Sequence, residues 1–387
     1  MSRISGRLLL LATIFIVTTA TAVAFGLKRD LQTYQQPKAP EGTTPLKVET
    51  IADGLQNPWS LVFLPDGSML VDERPGHIRI IRDGKLVADP VANTPETYAN
   101  NQAGYFDLAL DPDYADNHTL YLAYNAGSKE ASTLRVISAT FDGAALSNIK
   151  TIFEAVPTRR TTANLGGRIL FLPDGTMLVS VGDGFDFREQ AQKLDNDFGK
   201  IVRINKDGSI PQDNPFVGKK GARPEIWTYG NRNPEGLALA ADGTIYETEH
   251  GPRGGDEINK IEKGANYGWP LATYGIDYSG ARITPFTEYP GTVQPLKYWT
   301  PSPAPSGLAV YSGDLFPEWK GDLLAGAMAE MSLHHVTMKD GKPTGDERYL
   351  VGMRVRDVRQ GPDGAIWVTT EDHGGAPTGK VLRLTPQ

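Results

Sequence analysis

Along most of the chain apolar and polar residues alternate with period two, in short runs broken by Pro-Asp-Gly or Asp-Gly, the pattern of half-buried strands joined by tight turns. Four copies of this hairpin unit are plain, at residues 61–71, 169–179, 237–246 and 358–368. The first reads Leu61-Val62-Phe63-Leu64, then Pro65-Asp66-Gly67, then Ser68-Met69-Leu70-Val71. Two weaker copies fill the gaps, at residues 108–124 and 308–326, with Leu108-Ala109-Leu110 and Leu308-Ala309-Val310 as their first runs. Six units spaced by roughly 50–70 residues predict an all-β fold, a six-bladed β-propeller of four-stranded antiparallel blades. A single hairpin cannot bury its own apolar face and must stack on its neighbours. The spacing lengthens between the third and fifth units, which predicts long loops building one functional face over the central channel.

The first residues break this pattern. Arg3 and Arg7 precede an uncharged stretch from Leu8 to Leu27, so residues 1–29 read as a signal peptide or a membrane anchor. Ala20-Thr21-Ala22 and Ala22-Val23-Ala24 resemble cleavage sites. Either reading exports the body of the chain, to the periplasm or outside the cell, and the second tethers it to the membrane through residues 8–27. Residues 30–45, with Pro37, Pro40, Gly42 and Pro45, read as a linker, and residues 46–387 as the propeller.

Composition narrows the partners. The 42 glycines and 28 prolines are spread along all 387 residues, as many short strands require. A net charge of −7 without a basic run excludes a nucleic-acid partner. With no cysteine the chain has neither disulfides nor thiolate metal sites, and six histidines leave little for a histidine-rich centre.

Five stretches carry a resemblance: Asn164-Leu165-Gly166-Gly167-Arg168, residues 229–236 with Asn231-Arg232-Asn233-Pro234, residues 249–259 with His250-Gly251-Pro252, Asn266-Tyr267-Gly268-Trp269-Pro270, and Arg354-Val355-Arg356-Asp357. In this order they resemble signatures of the PQQ-dependent soluble aldose (glucose/sorbosone) dehydrogenases, from about Leu46 to the C-terminus. The resemblance implies hydride transfer from an aldose sugar to calcium-bound PQQ, giving a lactone, with electrons passed to an external acceptor. It is compatible with a homodimer.

PQQ is a planar tricarboxylate, and guanidinium forks meet carboxylates with paired charge-assisted hydrogen bonds. The resemblance places Arg232, Asn233, Arg354 and Arg356 on the cofactor, and the alternate spacing of Arg354 and Arg356 puts both on one side of a strand. It implies Trp299 as an aromatic beside the cofactor at the substrate entrance and Gln102 as a hydrogen-bond partner of the sugar. Calcium would take the carbonyls of Gly251 and Pro252, and Asp256, Glu257 and Tyr267 resemble a second, structural calcium site. Taken alone, the arginines of 354–356 also suit a solvated strand, Asp256-Glu257 an acidic turn, and Trp299 a buried core.

Two positions depart from the family. Its catalytic histidine, oriented by a carboxylate, is here Asn164, while Asp183 matches the carboxylate and Arg232 completes the catalytic group. A cofactor-binding lysine is replaced by Ala329. An amide has no useful basicity near neutrality, so the competing reading is a non-catalytic propeller that binds a sugar, a quinone or a protein partner. A calcium-dependent propeller lactonase is a third.

Overall fold

The structure, a computed structural model, describes residues 35–387 except residue 373. The leader expected at residues 1–29 and the first part of the linker lie outside the described residues. Six four-stranded antiparallel sheets follow one another around a ring. Their first strands are Pro58–Phe63, Tyr105–Leu110, Gly166–Phe171, Pro234–Leu239, Pro305–Val310 and Arg354–Gln360, in blades one to six, and each touches the first strand of the next blade. They wall the axial channel.

The Pro-Asp-Gly signal sits where the sequence reading puts it. Gly67, Gly175, Gly243 and Gly364 have φ of 84°, 83°, 87° and 77°, in the left-handed region that glycine enters without strain. In each turn the aspartate accepts the backbone N–H two residues on, as Asp66 does from Ser68 at 2.9 Å and Asp174 from Thr176 at 3.0 Å.

Leu46–Leu55 supplies the outer strand of blade six by pairing with Gly379–Pro386, Val48 lying opposite Leu384. One sheet therefore holds strands from both ends of the propeller and locks the ring. Apolar packing falls between blades: among the described residues each adjacent pair shares one cluster, such as Leu178, Ile201, Leu237 and Ile245 between blades three and four. This is the stacking that an isolated hairpin lacks.

The described part of the expected linker is docked. Gln36 N–H donates to the Thr300 carbonyl at 2.6 Å, and Arg348 N–H to Pro40 at 2.8 Å, so residues 35–45 run along blades four and five. Among the described residues no helix is long and apolar enough to cross a membrane.

Candidate active site at the channel mouth

All six first strands carry a register irregularity near their starts, at 58/61, 105/108, 166/169, 234/236, 305/308 and 355/357. Such bulges re-aim side chains. Here they splay the strands at one end of the channel and open a cavity of about 440 Å³, lined by Trp59, Phe106, Gly166, Glu235, Arg354 and Arg356 among others. Arg356 itself falls in the blade-six bulge, without an opposite residue, while Arg354 pairs with Glu371 across the sheet.

The cavity floor is a charge network. Arg356 divides its fork between two carboxylates, Nη1 donating to Glu235 at 2.7 Å and Nη2 to Glu371 at 2.8 Å. Arg354 and Arg74 approach the same Glu371, at 3.4 and 3.8 Å. Burial opposes ionisation of Glu371, but the surrounding guanidiniums, Arg356 first, hold its carboxyl below its ordinary value. The Nε–H groups of Arg356 and Arg232 are buried without an acceptor. Arg79, Arg135, Arg159 and Arg168 also carry such donors, so what distinguishes Arg356 is its place in the cavity lining.

Arg232 stands one layer away. Its Nη1 donates to the carbonyls of His250 and Gly251, at 3.0 and 2.6 Å, and its guanidinium lies over the Trp269 ring. It faces a smaller hollow beside the cavity. Asn233 is fully buried, donating to Glu235 and accepting Gly166 N–H at 3.0 Å each, so it holds the cavity wall.

Asn164 and Asp183 meet. The Asn164 Nδ2 donates to Asp183 Oδ1 at 2.9 Å, while Phe185 N–H donates to the same oxygen and Trp269 Nε1 to Oδ2, at 2.8 and 2.7 Å. Every Asp183 oxygen is thus engaged. Gln102 lines the cavity and its Oε1 accepts Asn164 N–H at 2.8 Å, fixing the backbone of the loop.

Two expectations fail. Trp299 does not reach the cavity: it is buried with Tyr246, Ile258 and Leu308 between blades four and five, and its Nε1 donates to Asp346 at 2.8 Å. Strand Lys297–Trp299 is the outer strand of its blade, far from the channel lining. Asp256 and Glu257 are neighbours on strand Asp256–Lys260 and so point to opposite faces. Asp256 accepts from Gly251 N–H, Ala304 N–H and Ser302, a satisfied structural carboxylate. Tyr267 is engaged too, donating to the Lys260 carbonyl at 2.6 Å.

Glu257 belongs to a different group. Asn259 Nδ2 lies 3.0, 3.2 and 3.2 Å from carboxylate oxygens of Glu247, Glu249 and Glu257. An amide has two N–H bonds and cannot serve three acceptors. Glu247 Oε1 and Asn259 Oδ1 are buried without any partner. Burial, and then repulsion from Glu249, push the Glu247 and Glu257 carboxyls well above their ordinary value, and burial pushes Glu249 up to about 7. Within the cluster only Glu249 is eased by a nearby cation, Arg232.

Residues missed by motif reading include Arg74, Glu371 and Trp59, which ring closure brings together from distant positions. Glu235 lies inside residues 229–236, but the bulge at 234/236 that aims it at the cavity carries no sequence signal.

Fold and site together define a six-bladed propeller with a small-molecule cavity at the mouth of its axial channel. The chain belongs to the glucose / sorbosone dehydrogenase family, whose family model matches residues 55–383. It is 39% identical over 351 residues to the aldose sugar dehydrogenase YliI of Escherichia coli K12, covering 88% of this chain and 93% of that protein. The apo structure of the soluble aldose sugar dehydrogenase of E. coli superposes with a TM-score of 0.84 at 39% identity, over 89% of this chain and all of that one. The PQQ-bound aldose sugar dehydrogenase of Streptomyces coelicolor superposes with a TM-score of 0.72 at 27% identity, over 89% of this chain and 100% of that one.

Proposed function

We infer that the chain is a PQQ-dependent oxidoreductase that converts aldose sugars to lactones at the channel mouth and passes the electrons to an external acceptor. The observation that carries this reading is the convergence of three guanidiniums, Arg74, Arg354 and Arg356, on the cavity lining. When bound, PQQ supplies a two-electron quinone able to take hydride from the sugar C1. Arg354 and Arg356 would hold its carboxylates from blade six, and Arg232 from the adjoining hollow. The residues fit an anionic ligand, against two opposing carboxylates, Glu235 and Glu371, which hold the two arms of the Arg356 fork.

Of the two, Glu235 takes Nη1 of Arg356 and also accepts from Asn233. Glu235→Gln keeps the acceptor for Asn233 and removes a negative charge from the cavity. It should tighten PQQ binding about tenfold, read by equilibrium dialysis. Unchanged or weaker binding would contradict a carboxylate–Arg356 contact.

Proton removal is the weak step. With its Nδ2 on Asp183, Asn164 offers a sugar hydroxyl only an amide oxygen, an acceptor without basicity. Asp183 is walled off by three donors. His250 lines the cavity, but its Nε2 donates to the Pro305 carbonyl at 2.6 Å and its Nδ1 faces Asn233. Turnover should therefore be slow. The same Asn164 favours a second reading, a propeller that binds sugar or quinone without turnover.

A calcium ion would be held by the Gly251 and Pro252 carbonyls, the first of which also accepts from Arg232. A second would neutralise Glu247, Glu249 and Glu257. Millimolar calcium should raise the Tm by at least about 3 °C, and Glu257→Gln should reduce the rise. An equal rise in the variant would place the cation elsewhere.

Reconstitution of the purified chain with PQQ and calcium, followed by dye reduction with glucose, tests the main reading. Glucose-dependent reduction supports it. Retained quinone with no reduction, in the chain and in Asn164→His alike, moves the assignment to the binding protein.

A further inference from the structure

Gln35, the first described residue, lies at the same end of the propeller as the cavity. Pro234, Glu249, Glu257 and Tyr298 stand abreast across blade four at its channel-mouth end, and Thr300, just beyond, accepts Gln36 N–H at 2.6 Å. Gln35 shares a hollow with Pro252, Arg253, Tyr278 and Thr300, and Tyr278 also lines the main cavity. From there the chain descends the outside of blades four and five, because Leu46 pairs with Pro386 at the opposite end of blade six. This strap is pinned. Arg348 Nε donates to the Ala39 carbonyl and Gly42 N–H to the Arg348 carbonyl, at 2.9 Å each, and Lys38 lies 3.6 Å from Glu330. A Cβ at Gly42 would come within 2.0 Å of the Tyr349 ring, so the strap lies flush on blade five.

Exposed apolar side chains gather at the mouth end too. Pro305, Ala327, Ser332 and Leu350 stand abreast there across blade five, and Met331 and Leu350 are 47% and 57% exposed. Phe185 and Tyr278, at 44% and 57%, stack on the rim of blades three and four. Val48 and Leu315 lie toward the opposite end and Ile149 midway along an outer strand, so among the described residues no such side chain stands on the rim of blades six, one and two. An exposed apolar arc marks an interaction surface. Aliphatic groups beside a tyrosine suit the boundary between lipid and water, where an amphipathic ring is favoured.

The sequence brings a bilayer to the same place. Residues 8–27 carry no charge and are long enough to cross one, and only residues 28–34 separate them from Gln35. Fully extended, that connection spans at most about 25 Å. Resting on the reading of residues 8–27 as a retained anchor, we propose that the strap holds the propeller with its channel mouth toward a lipid bilayer, Phe185, Tyr278, Met331 and Leu350 touching the headgroup region. The partner of this face is the lipid surface itself. Because the contacts belong to blades three to five, the propeller leans on that arc, and the rim of blades six, one and two stays open to water for the substrate.

The chain has no cysteine, so a single thiol can mark either end. The full chain is inserted without PQQ into vesicles of phosphatidylcholine and phosphatidylglycerol whose headgroups carry an acceptor dye. The donor dye sits on Ser279→Cys at the mouth rim or on Asp242→Cys in the turn at the far end, both exposed positions. Strands of six residues at about 3.3 Å each part the two ends by about 20 Å, so energy transfer from position 279 should exceed that from position 242 at least about threefold. Arg348→Ala, which frees the strap, should shrink this ratio. Met331→Asn with Leu350→Asn, which makes the rim polar and suits the φ of 50° at position 331, should shrink it as well. Equal transfer from the two ends, larger transfer from position 242, a ratio indifferent to both sets of changes, or a chain that washes off the vesicles would overturn the orientation. Neither sugar nor PQQ takes part, so failure here leaves the quinoprotein reading standing, and a failed PQQ reconstitution leaves the orientation standing.

Discussion

Replacing Asn164 with histidine raises glucose-dependent dye reduction of the PQQ-loaded chain by about 10²- to 10⁴-fold, the usual contribution of a general base. The site is prepared for the change. Asn164 has φ 51°, and histidine is among the few residues that enter this region readily. Its Nδ2 already donates to Asp183 at 2.9 Å, the bond that an imidazole Nδ1–H would make, leaving Nε2 free to accept a proton. The loop backbone is held by Gln102 and by Gly184 N–H, independently of the side chain. A variant that retains PQQ and gains nothing would mean that Asn164 does not occupy the position of the missing base.

Removal of the Arg356 fork has the other large effect, and acts on two properties at once. Arg356→Met leaves Glu235 and Glu371 buried beside each other without their shared cation. Breaking a buried pair in this way costs about 3–5 kcal/mol, visible as a lower denaturation midpoint. It also removes charge-assisted hydrogen bonds to the cofactor, weakening PQQ by about 10- to 100-fold. Adding Glu235→Gln should recover part of the stability and only a part of the PQQ affinity, by removing a negative charge from the cavity. Full recovery of both would make Arg356 a purely structural cation.

What could be read from the chain alone follows the reach of each signal. The hairpin turns were legible because Asp-Gly states its own backbone geometry. Arg354 and Arg356 were legible as a pair two residues apart, and both do line the cavity. The bulges that turn Arg356 and Glu235 into the cavity were not, since they depend on how six strands crowd around one axis. Arg74 and Glu371 are 297 residues apart and meet through closure of the ring by Leu46–Leu55. Trp299 misled because a motif position says nothing about which strand of the blade it occupies. Asp256 and Glu257 could have been separated by strand alternation, and the carboxylates that do cluster, Glu247, Glu249 and Glu257, share one face by that rule.

The most direct measurement is the stoichiometry of PQQ held by the purified chain, taken from quinone absorbance after equilibrium dialysis with calcium present. One equivalent per chain, falling steeply in Arg356→Met, is the expected result. No retained quinone, or retention that ignores Arg356, would contradict a cofactor gripped at the channel mouth.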